Sequence, residues 1–157
     1  MAIPEELSQA HEAANSRDFA RAESLLKDLL SNNPDHLGAL DLLGYVLFFQ
    51  DRPVEAEAVC RRTLELEPEH PYALKGLGLC VAKLGDLDQA VRHLEHAIQR
   101  APEWFDPYWD LCVVLVEGGR AADAVAVVKR ARAALPGRET EWSQMERHAR
   151  AAGARLR

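Results

Sequence analysis

Proline recurs at Pro34, Pro68, Pro102 and Pro136, and 34 residues separate each from the next. That period constrains the fold more than any other feature of the chain. Taking each proline as the thirty-second residue of a unit divides the sequence into 3–36, 37–70, 71–104 and 105–138 with no insertion or deletion. Self-similarity at such a period marks units that cannot bury their own apolar faces and must stack on their neighbours. A stack of this kind presents an extended surface for holding something rather than a closed pocket for chemistry.

Between the prolines, small and large apolar residues alternate at helical spacing. The eighth residue of each unit is Ala10, Gly44, Gly78 or Cys112, and the twentieth is Ala22, Ala56, Ala90 and Ala124 without exception. The twenty-seventh is Leu29, Thr63, Ala97 or Ala131. Leu40, Leu74 and Tyr108, with Leu43, Leu77 and Leu111 one turn on, supply the large partners. Small positions let helices cross closely and large ones fill the gaps between them. Gly85 and Gly119 sit mid-unit where a helix ends on a left-handed residue, and Pro53 stands where the next helix begins. Each unit therefore reads as helix, tight turn, helix, with the terminal proline stopping the second.

Composition agrees. Ala, Leu, Glu and Arg dominate, which favours helix, and 48% of the residues are hydrophobic, enough for a core. A net charge of -6 argues against a nucleic-acid surface or an anionic membrane. The longest apolar runs, Tyr45–Phe49 and Leu111–Val116, reach at most about six residues, far short of a membrane span. No signal peptide is visible at the N-terminus, and Cys60, Cys80 and Cys112 lack disulfide or metal spacing. The expectation is a cytoplasmic protein with reduced thiols.

The pattern resembles the tetratricopeptide repeat family. In the third unit the residues that carry the resemblance are Leu74, Leu77, Gly78, Ala90, Leu94, Ala97 and Pro102. The resemblance covers 3–138 and implies an all-α, right-handed α-solenoid of four helix-turn-helix repeats. The first unit departs most, with Glu6 and Gln9 at positions where large apolar residues are usual, as suits an end repeat wetted on its outer face. Residues 139–157 form a further amphipathic helix, with Trp142, Met145, Ala149, Ala152 and Leu156 on one stripe. It is expected to cap the fourth repeat. The arginines Arg147, Arg150, Arg155 and Arg157 fit compensation of the dipole at its C-terminus.

Nothing in the chain spells out catalysis. His93 and His96 lie one turn apart, but no third ligand or Cys pair accompanies them, and they read as a solvated face. Glycine-rich phosphate loops and nucleophile elbows are absent, and Gly76 and Gly78 sit inside a helix where close packing explains them. No enzymatic activity, cofactor or metal is expected.

The resemblance implies that the first helix of each unit lines the concave side. The positions facing that side are Leu7, His11, Ala14 and Asn15; Asp41, Tyr45, Phe48 and Phe49; Lys75, Leu79, Ala82 and Lys83; and Trp109, Val113, Val116 and Glu117, with Tyr72 at the rim. Aromatic residues edged by charge have the composition of an interface. Tyr45, Phe48, Phe49 and Trp109 form an aromatic floor, and Lys75 and Lys83 are placed to draw in an acidic group. Asp41 and Asp110 oppose these lysines, so a clamp for a terminal carboxylate is not expected. The function expected is non-catalytic binding of a protein or peptide segment with apolar anchors. The alternative is a structural module that assembles with copies of itself.

Overall fold

The computed structural model describes residues 4–155 of the 157. Ile3, Leu156 and Arg157, which entered the reading above, lie outside the described residues. Among those described there are nine helices and no strand: α1 (Glu5–Asn15), α2 (Phe19–Asn32), α3 (Leu37–Phe49), α4 (Pro53–Leu66), α5 (Pro71–Lys83), α6 (Leu87–Arg100), α7 (Phe105–Glu117), α8 (Ala121–Ala134) and α9 (Glu139–Arg155). The chain is an all-α repeat solenoid. Helices α2, α4, α6 and α8 each end two residues before one of the four periodic prolines.

Two layers result. The odd-numbered helices touch one another along the array, α1 to α3, α3 to α5, α5 to α7 and α7 to α9, whereas the even-numbered helices touch only their sequence neighbours. The odd helices thus crowd together on the inside of the curve. Ala22, Ala56, Ala90 and Ala124 are all fully buried, each where the second helix of a pair meets the first. The closeness of that meeting is clearest at Gly78. A Cβ there would lie 2.8 Å from Leu94 Cγ and 3.2 Å from the Ala90 carbonyl oxygen.

The turn inside each pair is built the same way four times. Arg17, Asp51, Gly85 and Gly119 occupy equivalent positions with φ of 60°, 61°, 93° and 76°. The next N–H donates to a carbonyl five residues back: Asp18 to Ala13 at 2.8 Å, Arg52 to Leu47 at 3.0 Å, Asp86 to Val81 at 3.0 Å and Arg120 to Leu115 at 2.7 Å. Glycine marks only two of the four turns in the sequence; the arginine and the aspartate adopt the left-handed conformation because the bonds around them require it.

Helix α9 packs on α8 and α7 and keeps the register of an inner helix. Counting on by 34 from Leu74 and Tyr108 arrives at Trp142, and from Leu77 and Leu111 at Met145. Both are buried, as is Ala149. The small eighth position of the other inner helices becomes Glu146 here. No second helix crosses it among the described residues, and Arg132 and Arg150 bind its carboxylate instead, at 2.5 Å and 2.6 Å.

Candidate functional site

The inner layer carries a cavity of about 220 Å³ between α3 and α5 that opens to the groove. Its depth comes from missing side chains. Gly44 on α3 and Gly76 on α5 lie at its base, beside Ala73 and the thiols of Cys60 and Cys80. A Cβ on Gly76 would approach Cys60 Sγ to 2.8 Å, so the close packing of α4 on α5 excludes any larger residue there. The walls are Tyr45, Phe48 and Phe49 from α3 and Tyr72 and Leu79 from α5. Phe49 and Tyr45 are 47% and 39% exposed, the two aromatic side chains left most open to solvent among the described residues. Their rings stand 4.6 Å apart by centroid, Phe48 meets Phe49 edge-on at 5.5 Å, and Phe19 from α2 extends the row at 6.1 Å.

Charge is arranged in and beside the pocket differently from the sequence expectation. Lys83 Nζ donates to Asp51 at 2.8 Å and lies 4.7 Å from the centre of the Phe48 ring. Lys75 Nζ stands 3.4 Å from Asp110 Oδ2 and 3.7 Å from Asp106, and faces the stacked rings of Tyr72 and Trp104. Both lysines thus lie against carboxylates of the chain itself. Asp41 accepts a 2.7 Å contact from His70 Nε2 on one oxygen, while the other, Oδ1, is buried with no partner among the described residues. Burial pushes the Asp41 and Asp110 carboxyls above their usual range, with His70 and Lys75 respectively opposing the shift. Burial also pushes the Tyr72 phenol up to about 12.

Seven of the positions expected on the concave face line this pocket: Asp41, Tyr45, Phe48, Phe49, Tyr72, Lys75 and Leu79. The others lie elsewhere. Leu7 is only 6% exposed and belongs to the core between the first two repeats. His11 is exposed on α1, outside the pocket. Trp109 is not part of the aromatic floor, because its ring packs 5.7 Å from Phe105 and 6.3 Å from Trp142 of α9, and Val113 joins the same core cluster. Helix α9 thus covers the fourth repeat without entering the pocket, whose described lining comes from α3, α4, α5 and α7. Sequence reasoning missed Gly44, Gly76, Cys60, Cys80 and Thr63 as the base. The adjacent glycines on consecutive inner helices were the signal for it.

An all-α helical repeat with an aromatic-walled concavity on its inner layer defines a class of interaction scaffold. Two tetratricopeptide repeat family models match the chain, over residues 35–103 and 81–149. The chain belongs to the tetratricopeptide repeat family. It is 33% identical over 94 residues to a TPR repeat-containing protein of Pseudomonas aeruginosa, covering 58% of this chain and 16% of that one. It is 28% identical over 125 residues to the protein O-mannosyl-transferase Tmtc3 of Drosophila melanogaster, covering 79% of this chain and 14% of the transferase. The chain thus spans about a sixth of the length of these relatives. Among solved structures, a thermophilic TPR protein of Thermus thermophilus superposes with a TM-score of 0.79 at 19% identity, over 89% of this chain and 79% of that one. The first TPR of Spaghetti (RPAP3), bound to an HSP90 peptide, superposes with a TM-score of 0.65 at 15% identity, over 69% and 86%. No helix among the described residues is long and apolar enough to cross a membrane.

Proposed function

We propose that the protein is a non-catalytic binding module, an adaptor or chaperone-like scaffold, whose α3–α5 pocket holds a peptide segment by apolar anchors. The observation that carries this is the exposed aromatic row of Tyr45 and Phe49 at the mouth of a cavity whose base is kept open by two glycines. Large rings left in water are the residues that gain most when a partner covers them. The first TPR of Spaghetti, which shares this fold, is bound to an HSP90 peptide, which supports a peptide as the class of ligand. Three free, buried cysteines suit a reducing, cytoplasmic setting.

The test is retention of a random peptide library on immobilised protein. Wild type is expected to retain a distinct peptide population, and Tyr45→Ala with Phe49→Ala to lose it by about ten-fold or more while far-ultraviolet circular dichroism stays unchanged. Equal retention by the double variant removes the pocket from the site.

Self-assembly is the second reading, and one observation favours it. Ala121, Ala122, Val125, Ala149 and Gly153 leave a depression between α8 and α9, edged by Arg150, at the end of the described array, where a further helix would dock. Light scattering over a wide concentration range decides, since a constant monomer mass rejects it.

A further inference from the structure

The pocket holds more negative charge than its own cations neutralise. Asp41 and Asp110 lie on its wall, and Asp106 stands beside Lys75. Lys75 is the one ammonium among the described residues of its lining, and it answers Asp106 and Asp110 but makes no ion pair with Asp41. Asp41 has only His70 on Oδ2, and Glu67 shares that imidazole by taking the other ring nitrogen at 3.0 Å. Its side chain is 19% exposed, with Oδ1 unpartnered, and leaving a buried carboxylate oxygen without a hydrogen-bond partner is costly. A fold under no other constraint would place an apolar residue there. The pocket it lines is walled by the rings of Tyr45, Phe48, Phe49 and Tyr72, and the face of such a ring attracts a cation.

We infer that this pocket receives a basic side chain, arginine or lysine, of the bound peptide segment, with its cation against the Asp41 carboxylate and its stem along the rings of Tyr45 and Tyr72. The inference rests on the peptide-binding reading above and adds its charge selectivity. An incoming cation supplies Asp41 with a charge partner beyond the imidazole it shares with Glu67. A guanidinium fits best, since it lies flat on aromatic faces and presents several donors to a carboxylate. Residues flanking it in the peptide rest on Phe48, Phe49 and Leu79.

Short amidated peptide pools test it, with the central residue fixed as Arg, Lys, Gln, Leu or Glu and the flanks drawn from Leu, Phe, Ala and Ser. They are measured on the immobilised full chain. The Arg and Lys pools are expected to be retained about ten-fold more than the Gln pool by wild type. Asp41→Asn, which keeps the shape of the side chain, is expected to abolish that advantage. Asp110→Asn is the second variant, expected to reduce it, and the thermal midpoint of each variant shows that it is folded. A Gln or Glu pool that matches or exceeds the Arg pool overturns the inference, as does an Arg preference that survives both substitutions. In either case a loss of all pools in the Tyr45→Ala and Phe49→Ala variant leaves the pocket reading standing. If no pool is retained, or if that variant retains them all, the pocket reading itself falls. A wild-type dimer that dissociates on Asp41→Asn makes the occupant the arginine-rich α9 of a second copy, which overturns the assignment to a separate peptide.

Discussion

Arg17 holds a φ of 60° at a turn where Gly85 and Gly119 take the same conformation without a Cβ. A side chain in this conformation is strained by roughly 1 kcal/mol. Arg17→Gly is therefore expected to stabilise the protein by about 0.5 kcal/mol, the gain being reduced by the extra freedom of glycine in the unfolded chain. Gly85→Ala is expected to destabilise it by about 1 kcal/mol, and urea titration checks both. Asp41 and Asp110 act on stability with the opposite sign to a paired surface acid. Burial raises their folded-state pKa, so the folded protein favours their protonated forms, and the stability they supply at low pH is lost as pH rises through the carboxyl range. Asp41→Asn is accordingly expected to raise the Tm at pH 7 and to leave it nearly unchanged at pH 3. A variant that is less stable than wild type at pH 7 contradicts the unpaired state of Oδ1.

At the scale of the helix, contacts between pairs decide what each element contributes. Trp142 is the largest fully buried side chain among the described residues, and its ring meets Phe105 at 4.9 Å, Trp109 at 6.3 Å and Tyr108 at 6.5 Å. Trp142→Ala is expected to cost about 3 to 5 kcal/mol and to free α9 from α7 and α8, seen as a lower urea midpoint with loss of near-ultraviolet dichroism. The first two pairs are joined through Arg52, which binds Glu23 of α2 at 2.7 Å and Glu55 of α4 at 2.5 Å. Lys27, at 2.6 Å, and then Arg52 hold the Glu23 carboxyl down from 4.5 to about 2. Its folded pKa is depressed, so the stability it provides is fully present above pH 4.5 and disappears as pH falls toward 2. That contribution is on the order of 1 kcal/mol after solvent screening, and Glu23→Gln is expected to flatten this part of the pH–stability curve.

Across the whole molecule, each helix touches only near neighbours in the chain, so stability is a sum of pair and interface contributions rather than one cooperative core. Helix α2 buries only Ala22 and Leu26, whereas the larger core cluster runs from α4 through α9. Hydrogen exchange is therefore expected to be fastest in α1 and α2 and slowest in α5 through α7, and uniform protection would contradict stability that is summed repeat by repeat.

The helical alternation, the stacked solenoid and the small packing positions follow from the sequence, because they depend on residue spacing that the chain repeats every 34 residues. The aromatic and charged identity of the second and third inner helices was equally legible. What the tertiary structure decided was which of these residues share a cavity. Trp109 was drawn away by Trp142, a residue 33 positions on, and Leu7 was drawn into the core. Lys75 and Lys83 met aspartates of α7 and of the turn after α3, pairings between repeats that set the charge balance of the groove. Pairings between repeats depend on how far and at what angle the helices stack, and periodicity within one repeat carries no record of that distance.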